Sequence, residues 1–167
     1  MSSETITTAL FLITAVIAAG VLINAVYPVI YEMAGTFSST THESDTRMRT
    51  DFKVIASAGQ AGSAQIWMKN IGSQPISYED FQRSDVFCGA VGNFDRLTYT
   101  LDEPPANGYW TEEFTYPSYD LNNNAIWDTG ETVKITATTD TITSGSRAYF
   151  QFSLPNGVWR ANEFTVS

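Results

Sequence analysis

From Thr5 to Tyr31 the chain runs for 27 residues without a charged side chain, and this stretch governs what the rest can do. Within it, Ala9 to Ile23 is apolar apart from Thr14 and Gly20. A helix rising 1.5 Å per residue needs about 20 such residues to cross a hydrocarbon core of about 30 Å. The core helix of a soluble domain keeps a polar face, whereas Ala, Leu, Phe, Ile and Val here occupy every side. The segment therefore reads as a transmembrane or filament-core helix. No Lys or Arg precedes the run and no small-residue cleavage site closes it, so it is expected to stay on the protein and not to leave as a signal peptide.

Beyond the run, Val26, Ile30, Met33, Ala34 and Phe37 keep a three-to-four-residue spacing, which predicts an amphipathic continuation to Ser38, or as far as Asp45. Pro28 removes one intrahelical bond and should bend the rod. The polar stretch Ser38 to Asp45 reads as a hinge, with His42 a solvated histidine in it. Residues 1–45 thus form the helical part and residues 46–167 a second domain.

In that second part the pattern switches to period two. Phe52 and Val54, Ile66 and Met68, Val86 and Cys88, then Leu97, Tyr99 and Leu101 alternate between Gly, Pro, Asn and Ser clusters. Further strands are expected at Tyr109 to Thr115, Thr132 to Thr138, Arg147 to Leu154 and Glu163 to Val166. About eight short strands with turn signals at this spacing predict an all-β immunoglobulin-like sandwich behind the long N-terminal α-helix. Nothing after Tyr31 has the helix-between-strands pattern of a parallel α/β enzyme.

Several function classes fall away on composition. Nine Lys and Arg stand against 18 Asp and Glu, a net charge of -9, which disfavours nucleic acid as a partner. One cysteine, Cys88, and one histidine, His42, exclude an intramolecular disulfide and the usual catalytic triads. Cys88 sits inside an expected strand and reads as a small buried hydrophobe. The acidic pairs Asp102/Glu103 and Glu112/Glu113 are not preformed acid–base dyads, because neighbours in a strand point to opposite faces; they read as solvated surface. The tryptophans and tyrosines are expected in the core or at an interface. The chain reads as a non-enzyme, and it holds no Asn-X-Ser/Thr sequon.

One loop carries more than composition. Counting Asp120 as position 1 places Asp120, Asn122, Asn124, Asp128 and Glu131 at positions 1, 3, 5, 9 and 12, with the Ile126 carbonyl at position 7. That is the ligand order of an EF-hand-like Ca2+ loop. Ala125 stands at the sixth place, where the sharp turn normally takes glycine. An Asn-rich turn without an ion is the alternative.

Taken together, the apolar helix SSETITTALFLITAVIAAGVLINAVYPVIYEMAG, the following RMRTDFKVI, the phrase KNIGSQPIS and the acidic β-domain resemble the archaeal archaellin and type IV pilin-like superfamily. Within it the chain is most similar to archaellum accessory proteins of the FlaG and FlaF type. The resemblance implies a structural, stator-like archaellum component, anchored by its helix in the archaeal cell envelope. Its β-domain would lie outside the membrane and contact the surface-layer protein or other archaellum components. A filament-forming archaellin or pilin subunit, self-associating through the N-terminal helix, is the runner-up. A basic residue followed by glycine ahead of the apolar run, the pilin processing signal, is absent from the sequence as given. A membrane-anchored surface recognition domain is a third reading.

Topology pulls two ways. Arg47, Arg49 and Lys53 follow the helix and only Glu4 precedes it, so positive-inside bias alone would put the β-domain in the cytoplasm. These charges begin well beyond Tyr31, where the bias weakens, so the outside is the expectation. Candidate edges for partner contact are Asp85 to Val91 and Tyr109 to Tyr119.

Overall fold

The computed structural model describes residues 2–114 and 118–167. The chain divides into two compact units, Met1–Ser44 and Asp45–Ser167. Helix α1 spans Ser2–Arg49 and includes Pro28. Its apolar side chains, from Ile6 to Phe37, are all exposed, and it is long and apolar enough to cross a membrane. The stretch from Ser38 to Asp45 is helical and not the irregular hinge expected from its composition. Hydroxyls of that stretch bond back into the helix, Ser39 Oγ donating to the Thr36 carbonyl and Thr41 Oγ1 to the Phe37 carbonyl, as Thr36 Oγ1 just before it does to Glu32. Serine and threonine satisfied in this way leave the backbone ladder intact. His42 is accordingly an exposed helical residue.

Beyond the last turn of α1, the second unit is all-β apart from one short helix. Its strands are β1 (Phe52–Gln60), β2 (Ser63–Asn70), β3 (Ile76–Ser77), β4 (Asp85–Ala90), β5 (Asn93–Tyr99), β6 (Tyr109–Glu113), β7 (Ile126–Trp127), β8 (Thr132–Thr138), β9 (Arg147–Ser153) and β10 (Trp159–Thr165). Helix α2 (Tyr78–Gln82) lies between β3 and β4, capped by the Ser77 hydroxyl accepting from the Asp80 N–H. Eight strands join in the order β1-β2-β8-β6-β5-β4-β9-β10, all antiparallel except the short β5–β6 pairing. The two ends of that order meet. Asn162 Nδ2 on β10 donates to Ser57 Oγ on β1 at 3.0 Å, and the Ser167 N–H donates to the Gly59 carbonyl. The result is the long helix followed by an all-β sandwich.

The core follows from alternation. In β2, β8 and β9 every second residue is buried, so Ile66, Met68, Val133, Ile135, Ala137, Phe150 and Phe152 share one interior. Trp110, Trp127, Phe81 and Phe52 join it as a ring cluster, with Phe81 lying 5.0 Å from Phe152 and 5.6 Å from Trp127 between centroids. Such pairs contribute about 0.5–1.5 kcal/mol beyond area burial. Cys88 is fully buried, and burial pushes its thiol up to about 12, which keeps it protonated.

Three expectations need correction. Asp85 to Val91 is not an edge, because β4 pairs with β5 on one side and β9 on the other, and only Val91 at the hairpin tip is exposed. Likewise β6 is held between β5 and β8; Thr115, Tyr116 and Pro117 of the second candidate edge lie outside the described residues. Finally, Glu112 is not solvated surface but turns inward, on the same side of β6 as Trp110.

Candidate functional site

The β-unit grips the chain where helix α1 ends, and the grip is built from the KNIGSQPIS phrase. The Ile71 and Gly72 N–H groups donate to the Asp51 carbonyl, and those of Ser73 and Gln74 to the Arg49 carbonyl, at 2.8–3.1 Å. The Arg49 carbonyl is one that a helix C-terminus leaves orphaned, and the Asp51 carbonyl lies two residues beyond it. Gly72 is required by closeness: a Cβ there would stand 2.4 Å from the Arg49 oxygen and the Asp51 nitrogen. On the other side of the junction, Thr50 is buried, bonded to the Thr46 carbonyl and accepting from Asn156 Nδ2 at 3.0 Å.

Asn70 ties this junction to the Asp120 loop. It is fully buried, and its Nδ2 donates to the Trp127 carbonyl at 2.8 Å and the Gln74 carbonyl at 3.2 Å. Its Oδ1 accepts from the Gly72 N–H. The backbone of Asn70 pairs with both Gly130 and Glu131, and Thr129 Oγ1 donates to the Gly72 carbonyl at 2.6 Å. A single buried amide thus joins β2, the 71–74 turn and the 127–131 segment.

Six sequence-predicted site residues do come together in the loop beyond it. Asp120 and Glu131 are both buried. Asp120 Oδ1 accepts from the Asn122, Asn123 and Asn124 N–H groups, and its Oδ2 from Ala125 at 2.9 Å. Burial works against its charged form, yet the amides of Ala125, Asn123, Asn124 and Asn122 outweigh it and hold the carboxyl below its ordinary range. Glu131 receives Leu121 N–H on one oxygen and Asp128 N–H on the other, at 2.8 and 2.9 Å. Asn122 and Asn124 both donate side-chain amides to Asp128 Oδ2. Ile126 donates its N–H to Asn124 Oδ1 and belongs to β7.

Among the described residues, no three His, Cys, Asp or Glu side chains form a metal-holding group. The loop is instead closed by its own hydrogen bonds. A cation-binding form needs the Asn122 and Asn124 amides turned, so that oxygens rather than nitrogens face Asp128; each Glu131 oxygen and Asp120 Oδ2 accept one bond and retain a lone pair. Ala125 at the sixth place has φ of 57°, and Asn123 one of 58°. The left-handed turn that glycine normally supplies is therefore made by alanine under strain. Asn70 was missed from sequence because one asparagine in a strand end carries no spacing signal.

A long helix, apolar and uncharged from Thr5 to Tyr31, is followed by a mostly antiparallel all-β sandwich that binds the chain backbone where the helix ends. Archaeal-type flagellin is the family that matches, over residues 2–164. The chain belongs to that family. It is 24% identical over 121 residues to an uncharacterized protein of Archaeoglobus fulgidus, covering 66% of this chain and 75% of that one. In fold it is similar to the archaellum periplasmic stator protein FlaG of Sulfolobus acidocaldarius, with a TM-score of 0.53 and 22% identity, over 69% of this chain and 99% of that one. It is also similar to the archaeal flagellum of Methanospirillum hungatei strain JF1, with a TM-score of 0.53 and 16% identity, over 92% and 91% of the two chains.

Proposed function

We propose that the protein is a non-enzymatic archaellum component of the stator kind. The apolar helix anchors it in the membrane, and the β-domain stands outside, bearing on the surface-layer protein and on other archaellum components. The observation that supports this most is the clamp on residues 49–51, where four backbone N–H groups grip two carbonyls at the helix end. A subunit loaded through its β-domain needs that domain to hold the chain firmly where it enters, and these bonds do so. The likeness extends over nearly all of the solved FlaG chain, and FlaG also occurs in a described complex with FlaF.

The filament-subunit reading draws on a different observation: the likeness to the Methanospirillum flagellum takes in 92% of this chain. Imaging a tagged copy separates the two. Foci confined to the envelope, with swimming lost on deletion, support the stator; label along the whole filament supports the subunit. Envelope label with normal swimming would leave a surface recognition domain.

A calcium ion in the Asp120 loop is a further part of the proposal. Asp120, Asn122, Asn124, Asp128, Glu131 and the Ile126 carbonyl would hold it, and the ion would supply charge neutralisation to three carboxylates in one turn. Extracellular modules of this kind bind at about 0.1 to 1 mM.

A further inference from the structure

Among the described residues, Glu112 Oε2 is the single buried side-chain nitrogen or oxygen without a hydrogen-bond partner. Glu112 reaches this position through strand geometry. On β6 it alternates with Thr111 and Glu113, so it shares the inward face with fully buried Trp110 and half-buried Phe114. Its neighbour Glu113 faces the other way and is bound to Lys134 Nζ at 2.8 Å.

The other oxygen is held by a short polar chain. Tyr99 on β5 donates its hydroxyl to Glu112 Oε1 at 2.8 Å and accepts from Gln82 Nε2 at 2.9 Å, and the Tyr78 hydroxyl lies 3.4 Å from that of Tyr99. Tyr78 and Gln82 are the first and last residues of α2. Between them Phe81 plugs the core against Trp110, Trp127 and Phe152. The Tyr99 hydroxyl is thus the polar tie between the helix that carries the plug and the β5–β6 corner, and the Glu112 carboxyl is what that hydroxyl is seated on.

We infer that Glu112 is a proton-operated latch, holding α2 on the sheet while its carboxyl is protonated and loosening it on ionisation. A neutral carboxyl with one unpaired oxygen costs far less to bury than a carboxylate with one unsolvated oxygen. The groups that face it supply no compensating charge. From β5 comes the Tyr99 hydroxyl, and from α2 come Tyr78 and Gln82. Glu79 and Asp80 on that helix are exposed, Asp80 taking the Ser77 hydroxyl. From β8 the partner in register is Ile135, while Lys134 is taken by Glu113. Burial raises the Glu112 carboxyl above its ordinary value, and the bonds from Tyr78 and Tyr99 only partly oppose this. Burial and the Glu112 contacts also raise both tyrosines, which remain neutral donors.

The folded-state value lies above the unfolded one. The latch therefore contributes fully below the ordinary glutamate range of about 4.3, and its contribution is lost as pH rises through the folded value. The test uses the full chain in detergent micelles, followed by near-ultraviolet circular dichroism melting and amide exchange between pH 4.5 and 8. Wild type should lose several degrees of Tm across this range, and α2 amides should exchange at least about tenfold faster beyond the intrinsic pH effect. Glu112→Gln should keep both level, because a neutral amide cannot ionise. Direct titration of the Glu112 side-chain carbon by NMR in wild type provides the second measurement, which needs no variant. Titration in the ordinary glutamate range, or a Glu112→Gln profile with the wild-type slope, would overturn the latch. Neither outcome bears on the stator reading, which is decided by imaging.

Discussion

Replacing Asn70 by alanine should unravel the junction between helix end and β-domain more than any other single polar change. The side chain makes three hydrogen bonds in a fully buried position, two donated to the Trp127 and Gln74 carbonyls and one accepted from Gly72. Alanine leaves the Trp127 and Gln74 carbonyls facing a small void, while the Gly72 N–H keeps its bond to the Asp51 carbonyl. An orphaned buried donor or acceptor costs about 1–3 kcal/mol, and partial rescue by an entering water lowers the sum. About 4 kcal/mol is the expected loss. For a unit of this size that corresponds to a fall in Tm of roughly 15 °C. The assay is urea unfolding of a fragment of residues 45–167, followed by Trp fluorescence, since Trp127 lies beside the lost bond. Asn70→Asp should be nearly as damaging, because a carboxylate presents no donors to two carbonyls. A loss below about 1 kcal/mol for both variants would show that the grip does not depend on this amide.

Four further outcomes are expected. Gly72→Ala should cost a few kcal/mol, since its Cβ meets rigid backbone at 2.4 Å and not the tip of a flexible side chain; unchanged urea unfolding would contradict the clamp. Ala125→Gly should raise stability by about 1 kcal/mol by relieving the left-handed alanine, and a decrease would show that the turn is not strained. Calcium titration of the β-fragment should raise Tm by several degrees in wild type but not in Asp120→Ala or Glu131→Gln; no rise up to about 10 mM, well above the extracellular range, leaves the hydrogen-bonded turn as the whole account. Protease added to whole cells should degrade the β-domain, and a fragment of residues 47–167 should stay monomeric while the full chain self-associates through its apolar helix. Protection until lysis, or a fragment that polymerises as readily, would count against the outside topology and helix-driven assembly respectively.

The β-domain was legible in sequence wherever a strand had one buried and one solvated face. Ile66 and Met68, Val86 and Cys88, and Val133 with Ile135 announce themselves through period two, and these are the strands that form the core. Strands β3 and β7 have two residues each, too short to display a period, and α2 has five, too short for a helical one. The polar end of α1 was illegible for a different reason. Serine and threonine favour turns only while their hydroxyls compete with the backbone, and here several are spent on carbonyls one turn back.

The site was half legible, and the division is physical. The Asp120 loop declares itself because alternating oxygens at fixed spacing are rare outside cation loops and tight turns, and all six of its residues do lie in one loop. What sequence could not supply is the state of those oxygens, since the same donors serve a cation and a backbone nest. Glu112 shows the converse. In a list of residues it is one of two adjacent acids, and only the register of β6 separates a surface ion pair, Glu113 with Lys134, from a buried carboxyl beside Tyr99. A one-residue slip of β6 against β8 would exchange their roles, placing Glu113 among the core aromatics and Glu112 in reach of lysine. The large inward Trp110 on the same strand forbids that slip, because it would expel the indole that Phe81, Tyr99 and Phe152 surround. The aromatic packing of the core is thus what turns a carboxyl inward, and the pH sensitivity inferred for α2 is a consequence of that register.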